Sequence, residues 1–209
     1  MQKFNNSNIF FTSDIHYNHR NICRGTTRWV IDDPAELEAS TRNFASLEEM
    51  DNAIIENINK TVGEDDVLFF LGDWSFGGID NVRIASERIN CKNIHCILGN
   101  HDHHIERNSE DVASRFLSVS HYNHIEITHA GRKIEMVLSH YPIASWDNLR
   151  KGSFHLYGHL HRKGDNRFGP GKMIDVGIDG HPEFRPYHLD EIIDLLDPRP
   201  TLSLYNDFG

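Results

Sequence analysis

The sequence predicts an α/β protein: a two-sheet mixed β sandwich flanked by helices. Three observations carry that expectation. Short, strongly apolar runs recur along the chain, each too short for a helix and each halted by a glycine, an acid or a histidine. Between the first of them lie segments of helical period, the alternation expected of parallel βαβ units. The later runs succeed one another closely instead, which is the spacing of an antiparallel or mixed second sheet.

The clearest strand is 8–13 (NIFFTS), which ends at Asp14. A second, 67–71 (VLFFL), stops at Gly72-Asp73, and a third, 93–98 (NIHCIL), stops at Gly99-Asn100. Residues 125–128 are expected to pair with 134–139 (IEMVLS) through a turn at Ala130-Gly131. The run 154–157 (FHLY) ends at Gly158, and 173–176 is a further strand. The first long helix spans 46–62, with a Ser46 cap, Glu48 and Glu49 in its first turn, and apolar residues at 47, 50, 54, 58 and 62. A shorter helix is expected at 81–89 and an amphipathic closing helix at 189–196. No repeat or linker interrupts this order, so one domain is expected over 1–197, with a loosely ordered tail at 198–209.

A chain of 209 residues needs no disulfide or metal merely to fold. Its content of 38% hydrophobic and 25% charged residues is that of an ordinary soluble protein. No apolar run approaches the roughly 20 residues that cross a bilayer, and the first residues lack a signal-peptide pattern. The expected location is therefore cytoplasmic, with no membrane partner. Cys23, Cys91 and Cys96 read as free thiols. Histidine is the unusual term, at 15. Of these, His95, His103, His104, His121, His124 and His129 read as surface or hydrogen-bonded core residues.

The residues just past the strands are more specific. After the first strand comes Asp14-Ile15-His16; after the second, Asp73; after the third, Asn100-His101-Asp102; after the fourth, His140; after the fifth, His159-Leu160-His161. Strand ends are where ligands bind in open α/β sheets. Residues i and i+2 at an extended strand end point to one side, so Asp14 with His16, and His159 with His161, are each expected to face one site. Glycines 72, 99 and 158 let the backbone approach closely there. Carboxylate, amide oxygen and imidazole suit transition metals better than Ca or Mg. Asp14, His16, Asp73, Asn100, His140, His159 and His161 are too many for one tetrahedral ion and suit two, bridged by a carboxylate. The expected cofactor is thus two divalent transition-metal ions, Mn²⁺ first, with Fe, Ni or Zn as alternatives.

The ordered set D-x-H, G-D, G-N-H-D, H and G-H-x-H resembles that of the calcineurin-like metallophosphoesterases, from residue 9 to about 188. The strings FTSDIHYNHRNI, LGDWSFGG, SHYPIASW and VGIDGHPEFRPYHLDEI further resemble a compact bacterial and phage-type group of small phosphoesterases. The resemblance implies a four-layer αββα sandwich and hydrolysis of a phosphate mono- or diester. It implies that Asp14, His16 and His161 hold one ion, that Asn100, His140 and His159 hold the other, and that Asp73 bridges them. His101 would face the scissile phosphate as general acid, with Asp102 orienting it. Many members carry a second acid shortly after the G-D; here none appears before Asp80, which leaves that pocket wall unassigned.

A water bridging two dications is acidic enough to supply a hydroxide nucleophile near neutral pH, and the ions neutralise developing phosphate charge. No covalent phospho-enzyme is expected. His19, Asn21 and Arg28 are candidate substrate contacts, beside Arg20. Arg28 and Arg162 are candidate phosphate clamps, and Tyr17, Trp74, Phe76 and Trp146 a candidate stacking wall. Arg185-Pro186 reads as packing against the last helix. The expected partner is a small, nucleotide-like phosphate ester. A nuclease is the alternative, opposed by the net charge of -10 and the lack of a basic tract. A metal-bound interaction scaffold without catalysis is the third reading, opposed by the presence of every expected ligand and His101. The sequence leaves the oligomeric state open.

Overall fold

A computed structural model describes residues 1–5, 8–108 and 113–203. The chain builds β1 (Gln2–Phe4), β2 (Ile9–Thr12), α1 (Pro34–Ser40), α2 (Leu47–Thr61), β3 (Val67–Phe70), α3 (Ile79–Arg88) and β4 (Asn93–Ile97). Next come α4 (His103–Arg107), β5 (Ser118–Ser120), β6 (Tyr122–His129), β7 (Arg132–Ser139), β8 (Phe154–Tyr157), β9 (Met173–Asp175), β10 (Tyr187–His188) and α5 (Leu189–Leu196).

Two five-stranded sheets result, in the orders β10-β2-β3-β4-β5 and β1-β6-β7-β8-β9. In the first sheet β2 to β5 run parallel and β10 is antiparallel to β2. In the second, β6 and β7 form the expected hairpin, while β1 joins β6, β8 joins β7 and β9 joins β8 in parallel. Both sheets are mixed, as the two-sheet expectation requires.

The strand alternation divides the core. On β2 and β3, Phe10, Leu68 and Phe70 face Met50, Ile54 and Ile58 of α2. Ile9, Phe11, Phe69 and Leu71 face the other way, against Ile125, Ile127, Met136, Leu138, Phe154 and Leu156 of the second sheet. The α2 helix starts where Ser46 accepts from the Glu49 backbone, as expected of a capped start. The outer face of the second sheet carries Val137, Tyr157 and Met173 beneath Trp146, Leu149 and Leu202.

Two expectations need correction. The tail is packed at its start: Arg199 donates to the carbonyls of Gly169 and Gly171 at 2.7 and 2.6 Å, and Leu202 is buried. The remainder, 204–209, lies outside the described residues. Trp74 and Trp146 do not wall a pocket. Trp74 is fully buried between Phe70 and Phe116, and Trp146 lies over His155 and donates to Ser153. Cys23, Cys91 and Cys96 are free and buried.

Candidate metal centre

The backbone beyond β2 runs beside the backbone beyond β3. Leu71 N–H reaches Thr12 O at 2.8 Å, Asp14 N–H reaches Gly72 O at 2.9 Å and His16 N–H reaches Asp73 O at 3.1 Å. Along these loops Asp14, His16 and Asp73 have φ of 57°, 50° and 59°, and His159 and His161 have 73° and 49°. The expected extended strand ends are therefore absent. The alternate side chains converge because the backbone turns left-handed at them, a conformation that costs a non-glycine residue about 1–2 kcal/mol. Such strain persists only where the surrounding structure over-determines it, and it clusters at functional sites.

Glycine makes room for the convergence. At Gly72, with φ of 95°, a Cβ would stand 2.6 Å from His140 Nδ1 and 2.7 Å from Gly99 N. At Gly158 it would stand 2.3 Å from Ser13 Oγ and 2.5 Å from Asp14 Oδ2.

The side chains fall into two groups that share Asp73. In the first, Asp14 Oδ1 is 3.7 Å from both His16 Nε2 and His161 Nε2, and the two imidazole nitrogens are 3.0 Å apart. In the second, His140 Nε2 is 3.1 Å from Asn100 Oδ1, and the ligand atoms of Asp73, His140 and His159 lie within 4.8 Å of one another. Asp73 Oδ2 is 3.5 Å from His16 Nε2 and 3.5 Å from His140 Nε2, between the groups.

These residues fit cations. Asp14 Oδ1 and His16 Nδ1 are buried without a hydrogen-bond partner. His140 Nδ1 donates to the Leu71 carbonyl at 2.8 Å, and His161 Nδ1 to the Asp179 carboxylate at 2.8 Å, so each ring turns its Nε2 toward the centre. A buried carboxylate oxygen without a partner, ringed by imidazole nitrogens, is what a metal ion satisfies. The mix of imidazole, carboxylate and amide suits Mn, Fe, Ni or Zn.

The electrostatics mark the same cluster as strongly interacting. Burial alone would raise the Asp14 carboxyl, but the His16, His161 and His140 rings close to it outweigh that and hold it well below the usual range. Burial pulls the His16 and His159 imidazoles down. Burial opposes a charged His140 too, yet the Asp73 and Asp14 carboxylates push it up to about 9.

His101 lies at the rim of both groups, its Nε2 4.0 Å from Asp73 Oδ2 and its backbone N–H bonded to Asp73 Oδ1 at 2.9 Å. It also forms a potential ligand group with His16 and Asp73. Asp102 does not bond the His101 ring. Its buried carboxylate accepts from the backbone N–H groups of Asp73, Trp74 and Gly99 at 2.7, 2.9 and 2.8 Å. It thereby ties the loop after β3 to the loop after β4. The reason is geometric: Asp102 sits where the chain turns into α4, and its side chain points back under the loops.

A cavity of about 660 Å³ opens over the centre. His16, Asp73, Asn100, His101, His159 and His161 line its floor, and His19, Trp29, Phe76, Leu160 and Lys163 belong to its walls. The His19 ring stacks on Phe76 at 4.1 Å with 5° between planes, and Trp29 meets His19 edge-on at 6.4 Å. Asn21 lines the cavity too, its Oδ1 accepting from the Arg28 backbone. Arg28 and Arg162 are not among the lining residues; Arg162 bonds the Asn166 carbonyl. Tyr17 instead lies under the Arg88 guanidinium. Sequence reasoning missed Trp29, Arg42, Lys163 and Asp179. Only Asp179 carried a signal, as an acid shortly after the strand 173–176.

The model of the family described as calcineurin-like phosphoesterase matches residues 7–202. The chain belongs to that family. Among its relatives, an uncharacterized protein of Methanocaldococcus jannaschii is 26% identical over 205 residues, covering 95% of this chain and 97% of that one. The Gene 66 protein of Mycobacterium phage L5 is 28% identical over 218 residues, covering 91% and 95%. The crystal structure of a protein of unknown function from Aquifex aeolicus superposes with a TM-score of 0.61 at 20% identity, covering 90% of this chain and 98% of that one, a likeness of fold. This calcineurin-like phosphoesterase thus pairs a family-wide sandwich with Asp and His groups able to hold metal.

Proposed function

We propose that the chain hydrolyses small, nucleotide-like phosphate mono- or diesters at a centre of two divalent transition-metal ions, Mn²⁺ foremost. One observation carries this reading: Asp73 Oδ2 lies between two converging donor groups, one of which holds a buried, unpartnered carboxylate oxygen. Bound there, the ions supply Lewis acidity toward phosphate oxygens and activate water as the nucleophile.

The chain's own groups do the rest. Asp14, His16 and His161 would hold one ion, and Asn100, His140 and His159 the other, with Asp73 available to both. His101, its side chain 35% exposed to the cavity, donates a proton to the leaving oxygen. The His19–Phe76 stack and Trp29 offer a planar apolar wall on which a base can lie. Domain 1–197 carries the whole site, in the cytoplasm.

The test is turnover of bis-p-nitrophenyl phosphate, p-nitrophenyl phosphate and a panel of nucleotides by Mn²⁺-loaded protein. Turnover that vanishes on chelation and returns with Mn²⁺ is expected. No turnover of any of these would leave the interaction-scaffold reading. A nuclease is opposed by the net charge of -10. Affinity for DNA or RNA that falls steeply between low and moderate salt would instead support it.

A further inference from the structure

We infer that Arg42 and Asp179 are positioning residues that form a buried clamp holding the Asp14–His161 ligand group in register. The inference rests on reading the centre as metal-binding. Neither residue belongs to the ligand motifs, and both side chains are only 4% exposed.

The clamp is one continuous chain of bonds. Arg42 Nε and Nη2 donate to Asp179 Oδ1 and Oδ2 at 2.9 and 2.8 Å, a two-point fork. Arg42 Nη1 donates to Ile15 O at 2.8 Å and Nη2 to Asp14 O at 2.5 Å. Asp179 Oδ2 in turn accepts from His161 Nδ1 at 2.8 Å. One ion pair therefore joins the carbonyls of a left-handed ligand turn to the ring of a histidine 147 positions away from Asp14 in sequence, counting from 14 to 161.

Two arguments make this positioning rather than general stabilisation. A buried ion pair is a weak stabiliser compared with packed apolar groups, because desolvation cancels much of the attraction. Its bonds here go to the ligand turn and a ligand ring. The second argument is asymmetry. The other group's His140 is oriented by the neutral Leu71 carbonyl, whereas His161 is oriented by a carboxylate. A carboxylate behind an imidazole fixes the tautomer and raises ligand basicity. Arg42 matches that charge and, by its fork, fixes the Asp179 carboxylate against the His161 ring. The clamp should therefore act on one ion and leave the other alone.

Calorimetric titration of the EDTA-stripped full chain with Mn²⁺ tests this. Wild type is expected to bind two ions. Asp179→Asn is expected to weaken one binding event by roughly ten- to hundred-fold and leave the other unchanged. Arg42→Lys, which keeps the charge and loses the fork, should weaken the same event by less. A ¹⁵N spectrum of the metal-free protein should show the His161 ring losing its fixed Nδ1–H form in Asp179→Asn, a change that loosened packing elsewhere would not produce. Wild-type affinity for both ions in Asp179→Asn overturns the clamp, and so does equal weakening of both. Should Asp179→Asn fail to fold, Arg42→Lys carries the same two outcomes. Wild type that binds no Mn²⁺ overturns the metal-centre reading itself, so the two failures are told apart.

Discussion

The His101 ring lies 4.0 Å from the Asp73 carboxylate, yet removing each side chain should have a different consequence. Asp73→Asn removes the charge shared by both ligand groups, so metal content and hydrolysis should fall together, as read by metal analysis beside the assay. His101→Ala should keep both ions and lower kcat by about 10²–10⁴-fold, most for poor leaving groups. Loss of an ion in that variant would instead make His101 a ligand. Asp102→Ala would strand the backbone N–H groups of Asp73, Trp74 and Gly99 in a buried site. It should cost about 2–5 kcal/mol in urea unfolding; an unchanged stability with a lower rate would restore the role of orienting His101. That these seven side chains gather at one place was legible because each stands just past an apolar run. The job of Asp102 was not, because a side chain's direction under a loop depends on tertiary contacts. Arg42 gave no signal at all, its neighbours Thr41 and Asn43 being ordinary polar residues.

At the scale of single elements, strands built from continuous apolar runs were legible, and those built otherwise were not. β2, β3, β4 and β8 advertise themselves, since both their faces are buried. β1, β5 and β10 are two or three residues long and hold no such run; only pairing with a neighbour makes them strands. α1 did carry a signal, an Asp33 cap before Pro34, but its residues are all exposed or half-buried and show no apolar stripe. At the end of β3, Gly72→Ala would drive a methyl group into His140 and the Gly99 backbone. It should abolish one of the two proposed metal-binding events, that assigned to Asn100, His140 and His159, measurable by titration.

The buried β8 residue His155 gives a pH test. Its Nδ1 donates to Val137 O at 3.2 Å and its Nε2 accepts from Ile143 N–H at 3.0 Å, so the ring is held neutral. Burial pulls its pKa down to about 4, against 6.5 for the free side chain, with the Val137 bond opposing. The stability this neutral ring contributes is complete above 6.5 and is lost as pH falls from there toward 4. Between about pH 7 and pH 5, wild type should lose about 2 kcal/mol more than His155→Gln, in paired urea titrations.

For the molecule as a whole, the two-sheet architecture was legible from the rhythm of its runs, but the exchange of strands between its halves was not. The second sheet, built mainly from residues beyond 121, takes β1 as its edge, with Gln2 beside Ile125. The first sheet, built mainly before 121, takes β10, with Tyr187 beside Phe11. This interlocking predicts a single calorimetric unfolding transition; two separated transitions would refute it. Ions that bind only the folded chain should raise its midpoint. Mn²⁺ at a hundred times its dissociation constant contributes about 2.7 kcal/mol per site, roughly 5–10 °C for one site at this size.

The exchanged edges also shape how the protein is made. A ribosome that has delivered Phe11 must still deliver Tyr187 before that edge of the sheet is covered, and Gln2 must wait for Ile125. Until then the nascent chain exposes bare strand edges and the apolar faces of Ile9, Phe11, Phe69 and Leu71. Such a polypeptide is prone to aggregate while incomplete, so its yield in a cell should depend on chaperones that shield growing chains.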